Sequence, residues 1–403
     1  MSTATVSKTN LMGASNEWAT RPADERFWGL NDMGEALDSV YRNSHEHQLS
    51  IGKIHADTAT DEATGNAELV LKGRNAPVKL THWSMGQLAR YADAPADYIR
   101  KLPAPLAAQC INNGLDSYRD EDAQLMFHKG DNDIKLRSMT TQYSRLWNRD
   151  IVEALKPALD KGWMVPPARP CMAFTDPRAR PATLADIVPG QDAFGLAVKV
   201  GDTIAPAGCY ASDRDMFVFL VNPNRVIDVD GSEALMRGVF IWNSEVGAGA
   251  FKIQTFYLEA VCGNHIVWGA SGVETYRLVH KGRNFENFGG KLGKQLVNFA
   301  NQDTTKEQRM IESARNYVLG KDREEVVDTL YNNKSLGLTK QVIDATYSVA
   351  ISYEHTAKSS PRTAWGMAHA LTRYSQRFIN TDERTKLDTS AGKLLQLAYT
   401  AKN

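Results

Sequence analysis

The residues with the most evident binding chemistry lie in one run, YRLVHKGRNFENFGGKLGK, at positions 276–294. Arg277, Lys281, Arg283, Lys291 and Lys294 stand there against a single acid, Glu286, with Phe285 and Phe288 among them. Cations neutralise phosphates and release their counterions, and aromatic rings stack on unpaired bases. Gly282, Gly289, Gly290 and Gly293 let a backbone come close to a ligand. The run has the composition of a groove for single-stranded nucleic acid. The competing reading is a basic surface loop that its two phenylalanines anchor in the core. A second run, KLRSMTTQYSRLWNR at 135–149, sets Arg137, Arg145 and Arg149 around Tyr143 and Trp147. It extends the same groove, or it is a strand, a turn and a helix with solvated charges.

Acid chemistry has a weaker basis. Asp213 and Asp215 share a parity in an extended chain, so both can face one magnesium ion, with Glu245 as a third carboxylate. That set would suit a metal-dependent nuclease; turn and capping roles are the plainer use of the same residues. His265 reads as a core histidine rather than a base, and His45-Glu46-His47 as an exposed turn. The phosphate-binding, dinucleotide, zincin and nucleophile-elbow signatures are all missing from the sequence. Cys110, Cys171, Cys209 and Cys262 form no C-x-x-C pair and read as reduced thiols. No catalytic residue, metal ligand or cofactor is assigned.

The bulk numbers set limits on these sites. A chain of 403 residues with 42% hydrophobic and 23% charged residues is an ordinary soluble protein with room for two or three domains. Lys plus Arg, 47, equals Asp plus Glu, 47, so whole-chain charge argues for neither nucleic acid nor membrane, and any such binding rests on a local patch. No apolar run approaches the ~18 residues of a membrane span. The polar start, MSTATVSKTNLMGAS, lacks a signal-peptide core and reads as disordered.

The elements that must hold the sites read as strands first and helices after. Period-two alternation places strands at 67–72, 76–80, 125–128, 134–139, 194–200 and 216–221, with another at 225–229 beyond a turn at Asn222-Pro223-Asn224. The centre is RGVFIWNSEVGAGAFKIQTFYLEAVCGNHIVWG at 237–269: an apolar run, a small-residue turn at 247–250, then Phe251, Ile253, Thr255 and Tyr257 opposite Lys252 and Gln254. Helical spacing predicts helices over 29–44, 143–155, 306–319, 341–354 and 390–401. Caps are expected at Ser84 with Gln87 and at Ser360-Pro361, and 57–65 reads as a loop. The fold class is therefore α+β, a central antiparallel-rich twisted sheet with a helical C-terminal region. The expected divisions are 1–65, a β-rich core over 66–300 and helices over 301–403.

Five segments resemble, in the same order, the phage- and plasmid-borne "domain of unknown function 932" family. They are LTHWSMGQLARYADAPADYIRKLP, LRSMTTQYSRLWNRDIVEAL, GCYASDRDMFVFLVNP, the 238–269 segment and TAWGMAHALTRYSQR. Asn243-Ser244-Glu245-Val246-Gly247 followed by Cys262-Gly263-Asn264 is the most specific piece; Gly263 stands where the family often has threonine. The resemblance implies a mobile-element protein in the bacterial cytoplasm. The expected function is single-strand DNA binding or annealing by a homo-oligomer, with no membrane partner. The alternatives are the nuclease above and a non-enzymatic host-interaction or anti-defence protein.

Overall fold

The computed structural model describes residues 22–61, 63–118, 121–165, 177–186, 199–206, 209–229, 233–259, 265–266, 276–278, 280, 288–301, 303, 305–357, 359–375 and 381–402. In chain order it opens with β1 (Arg26–Phe27), α1 (Leu30–Arg42), β2 (Ser44–Ser50), β3 (Ala56–Thr60), β4 (Ala67–Leu71) and β5 (Val78–Leu80). There follow α2 (His82–Tyr91), α3 (Ala96–Ile99), α4 (Ala104–Leu115), β6 (Asp122–Lys129), β7 (Ile134–Thr140) and α5 (Asn148–Leu159). The strands β8 (Arg180–Pro181), β9 (Thr203–Ile204), β10 (Cys209–Ala211), β11 (Met216–Val229), β12 (Glu233–Asn243), β13 (Phe251–Glu259), β14 (His265–Ile266) and β15 (Tyr276–Leu278) come next. Helices complete the chain: α6 (Phe288–Asn301), α7 (Thr305–Asn316), α8 (Arg323–Asn332), α9 (Lys340–Ala357), α10 (Ala364–Ser375) and α11 (Thr381–Lys402). The architecture is α+β. No helix among the described residues is long and apolar enough to cross a membrane.

The first sheet has the order β2-β6-β7-β5-β4-β3 and is antiparallel except where β5 runs parallel to β7. Its own core gathers Ala56, Leu71, Leu88, Ile111, Leu125, Leu136 and Met139, with α2 and α4 supplying the helical side. His45-Glu46-His47, expected as a turn, lies in β2, and part of the expected loop at 57–65 is β3. Both are edge strands. An edge strand draws its backbone partners from one neighbour and buries little, so polar residues serve and no alternation marks them.

The second sheet has the order β1-β10-β11-β12-β13-β14, with β15 also paired to β13, and all its pairs are antiparallel. Asn222-Pro223-Asn224 does not end a strand; β11 runs through it with a register shift between Asn222 and Val226. Proline offers no N–H, and a bulge is where a ladder tolerates that. A separate hydrophobic cluster packs α1, α5 and α6 on one face of this sheet and continues into the C-terminal helices through Trp365, Leu371, Leu394 and Leu395. The strand expected over 194–200 lies mostly outside the described residues.

Several helix ends differ from expectation for local reasons. Thr81 caps α2 reciprocally with Ser84, so Ser84 is the third helical residue and not the cap. The helix α5 begins at Asn148 and not at 143, because Tyr143 and Arg145 are drawn to the turn after β12. Thr363, beyond Ser360-Pro361, accepts the Gly366 N–H at 3.1 Å and starts α10. The helix α8 escaped the sequence reading, although Asp322 caps it by accepting the Glu325 N–H at 3.0 Å.

Candidate functional site

Strand register in the second sheet sorts its residues into rows. One row runs Phe27, Cys209, Val218, Ile241, Ile253 and Tyr276 across β1, β10, β11, β12, β13 and β15. Its members from Phe27 to Ile253 are buried in the core. The adjacent row on the same strands runs Arg26, Tyr210, Phe217, Trp242, Lys252 and Arg277. Side chains alternate along a strand, so this second row belongs to the opposite face. That face carries Arg26 at one margin, then aromatic rings, then Lys252 on β13.

The rings on this face touch. Tyr210 stacks on Phe217 with centroids 5.7 Å apart, and Phe217 and Phe219 each lie 5.3 Å from Phe240. The Lys252 Nζ sits 4.6 Å from the Trp242 ring centroid. Burial decreases along the row: Arg26 and Tyr210 are buried, whereas Phe217, Trp242 and Lys252 are half-buried, as are Phe240 and Gln254 beside them. Among the described residues, Lys252 has no carboxylate partner, and the Trp242 indole N–H has no acceptor.

The described residues among those singled out from the sequence are not brought together into one track. Lys281, Arg283 and Phe285 lie outside the described residues. Arg277 stands opposite Lys252 in register. Phe288 is not a stacking platform. It is 7% exposed and meets Phe251 edge-on at 4.7 Å, in the core between α6 and the sheet's inner face. The stretch read as a glycine-loosened loop is the first turns of α6 from Phe288 onward, where Leu292, Leu296 and Phe299 point inward. Lys291 and Lys294 are exposed on that helix. They therefore sit on the helical layer, away from the aromatic row.

Arg137, Arg145 and Arg149 are joined to carboxylates and do not line a groove. Arg137 donates to Glu245 at 2.7 Å. Arg145 donates to Glu46 and to the Glu245 carbonyl. Arg149 reaches Asp150 at 2.8 Å and Asp38 at 3.4 Å, and lies 4.0 Å from the Tyr41 ring centroid. Each guanidinium already has a carboxylate beside it, with which a phosphate would have to compete.

The Arg137 and Arg145 contacts build the joint between the two sheets. The turn between β12 and β13 enters the first lobe, that is, the first sheet with α2 and α4, and Glu245, 3% exposed, is the centre of the contact. One Glu245 oxygen accepts from Arg137, and the other accepts the Asn148 N–H at 2.9 Å, at the start of α5. The carbonyl of Val246 accepts from Trp83 Nε1 and Gln87 Nε2, each at 3.0 Å, and Tyr143 donates its hydroxyl to the Ser244 carbonyl. Asn243 donates to the Leu146 carbonyl at 3.0 Å and to the Asn148 side chain at 2.8 Å. Gly247 holds φ at +90°, a conformation that only glycine adopts without strain. Burial pushes the Tyr143 phenol well above its ordinary range. It also holds the His280 imidazole, stacked on Tyr143 at 4.6 Å, down at about 4.

With both oxygens engaged, Glu245 is a structural carboxylate here. Asp215 accepts from the Ser212 hydroxyl at 3.0 Å in the turn before β11, and Asp213 is exposed. No group of three or more His, Cys, Asp or Glu among the described residues is arranged to hold a metal ion. Lys252, Trp242 and Phe217 escaped the sequence reading as candidates. The only signal was Lys252 and Gln254 on the polar parity of β13.

Searches of curated proteins and of solved structures return no match. A family model matches residues 187–396, which hold β10 to β13, the Asn243–Gly247 turn and α10; the two resembling segments at 80–103 and 136–155 precede it. That match spans just over half of the chain, and the chain belongs to the family described as Domain of unknown function (DUF932).

Proposed function

We propose that this chain binds single-stranded DNA on the outer face of its second sheet and promotes annealing in recombination or replication of a phage or plasmid. One observation carries the reading: the row Tyr210, Phe217, Trp242 and Lys252, opposite the buried row Cys209, Val218, Ile241 and Ile253 in the same register. An interior sheet has no need of a cation without a counter-charge beside half-buried rings. A polyanion with exposed bases uses both features. From β10 to β13 is three strand spacings, ~14 Å, room for about two or three bases of the kind sheet aromatics stack. Phe217, Phe240 and Trp242 stack on bases; Lys252 and Arg277 take phosphates. The reading includes self-assembly of copies along a strand, in the cytoplasm of a bacterial host.

The test is fluorescence anisotropy with labelled single-stranded and duplex DNA across a salt titration. The full-length protein binds the single strand with steep salt dependence and weak sequence preference. Trp242→Leu costs about 1–3 kcal/mol of affinity, the value of one stacked base. Unchanged affinity in folded Trp242→Leu and Lys252→Gln variants overturns the assignment.

A further inference from the structure

Arg214 lies in the turn between β10 and β11, and Trp83 in the first turn of α2. The Arg214 guanidinium carbon is 5.3 Å from the centroid of the Trp83 ring. Arg214 is exposed and Trp83 half-buried. Arg100, Arg137, Arg145, Arg149, Arg180 and Arg323 each pair with a carboxylate. Arg214 has no such partner among the described residues, although Asp213 is its neighbour in sequence. An arginine laid on an indole keeps its charge and turns its N–H edge outward, a planar fork that fits a phosphate bidentately.

Both halves of the pair are fixed to the turn between β12 and β13. The Trp83 indole N–H donates to the Val246 carbonyl at 3.0 Å. The Arg214 carbonyl accepts from the Ser244 hydroxyl at 2.7 Å, and the Arg214 N–H donates to the Ser212 hydroxyl at 3.2 Å. This turn leaves β12 just after Trp242 and enters β13 just before Lys252. Arg214, on the second sheet's own β10–β11 turn, and Trp83, on the helix that packs against the first sheet, thus meet at the Trp242–Lys252 end of the second sheet.

We infer that Arg214 and Trp83 form a second contact on the same strand, with Arg214 gripping a phosphate, so that bound DNA runs from the sheet across the β12–β13 turn to α2. The inference rests on the proposed single-strand reading.

The experiment compares the full-length protein with Arg214→Gln, Arg214→Lys, Lys252→Gln and Trp242→Leu, binding a labelled DNA single strand of about 16 nucleotides over a salt titration. Arg214→Gln lowers affinity about tenfold and reduces the log-log salt slope by about 0.7, the value of one phosphate on a single strand. Arg214→Lys restores the slope while recovering only part of the affinity. Denaturant midpoints confirm that the variants fold. If Arg214→Gln leaves affinity and slope unchanged while Lys252→Gln and Trp242→Leu weaken binding, this second contact is wrong and the sheet assignment stands. If no variant weakens binding, both fall.

Discussion

Arg137 on β7 and Glu245 after β12 meet at 2.7 Å with their side chains 9% and 4% exposed, a charge pair that ties one sheet to the other. Burying two charges costs solvation. The joint offsets this by also giving the second Glu245 oxygen the Asn148 N–H. Removing one partner leaves the other buried and unmatched. Arg137→Met is therefore expected to destabilise the protein by about 3–5 kcal/mol, and Arg137→Met with Glu245→Leu by clearly less. Urea unfolding of the two single variants and the double variant checks it; additive losses would mean the pair is not coupled.

His280 gives the joint a pH dependence. Burial holds its pKa at about 4 against the ordinary 6.5, and the neutral ring gives its Nδ1–H to the Ser144 carbonyl at 3.1 Å. Between those two values the unfolded chain binds a proton that the folded chain does not. Stability therefore rises with pH across the window and is lost as pH falls from 6.5 towards 4. Below it both states are protonated and the loss levels off. The full shift amounts to at most about 3 kcal/mol. His280→Gln is expected to flatten this part of the stability profile, read from urea midpoints at several pH values.

How far the sequence revealed this structure depended on where each signal is stored. The run with Phe251, Ile253 and Thr255 alternating against Lys252 and Gln254 was legible because one face is buried. The preceding run Val239-Phe240-Ile241-Trp242 is apolar on both parities, so only register shows that Phe240 and Trp242 face away from the core. The basic composition around 276–294 belongs to a stretch of which α6 claims the last part. There the spacing of Leu292, Leu296 and Phe299 outweighs Gly289, Gly290 and Gly293. Arg137 reads as a surface cation because its partner lies 108 residues away. A pairing between distant strands leaves no local trace.

The split between Phe288 and its neighbouring lysines is open to direct test. Phe288 fills the space beside Phe251 at the start of α6, so Phe288→Ala is expected to cost about 3–5 kcal/mol of stability. Lys291→Glu and Lys294→Glu, both exposed, are expected to stay within about 0.5 kcal/mol. Neither lysine variant should change single-strand affinity as much as Lys252→Gln. A larger effect on binding from the α6 lysines would move the proposed site from the sheet to the helical layer.

Gly247 lets the β12–β13 turn sit close against the first lobe. Its φ of +90° disfavours any side chain, and an added Cβ would come within 3.3 Å of Thr140 Cγ2 and 3.5 Å of Gln87 Nε2. The backbone term alone is worth about 1–3 kcal/mol. Gly247→Ala is expected to lower stability by that amount, and Thr140→Ser in the same chain to return only the part due to contact. The turn also spaces Trp242 from Lys252 and carries the Val246 carbonyl that holds Trp83. A strained turn should therefore weaken single-strand binding beyond what the loss of folded protein explains. Anisotropy measured well below the unfolding midpoint separates the two effects. Affinity equal to that of the unaltered protein would show that the position of this turn does not govern the binding face.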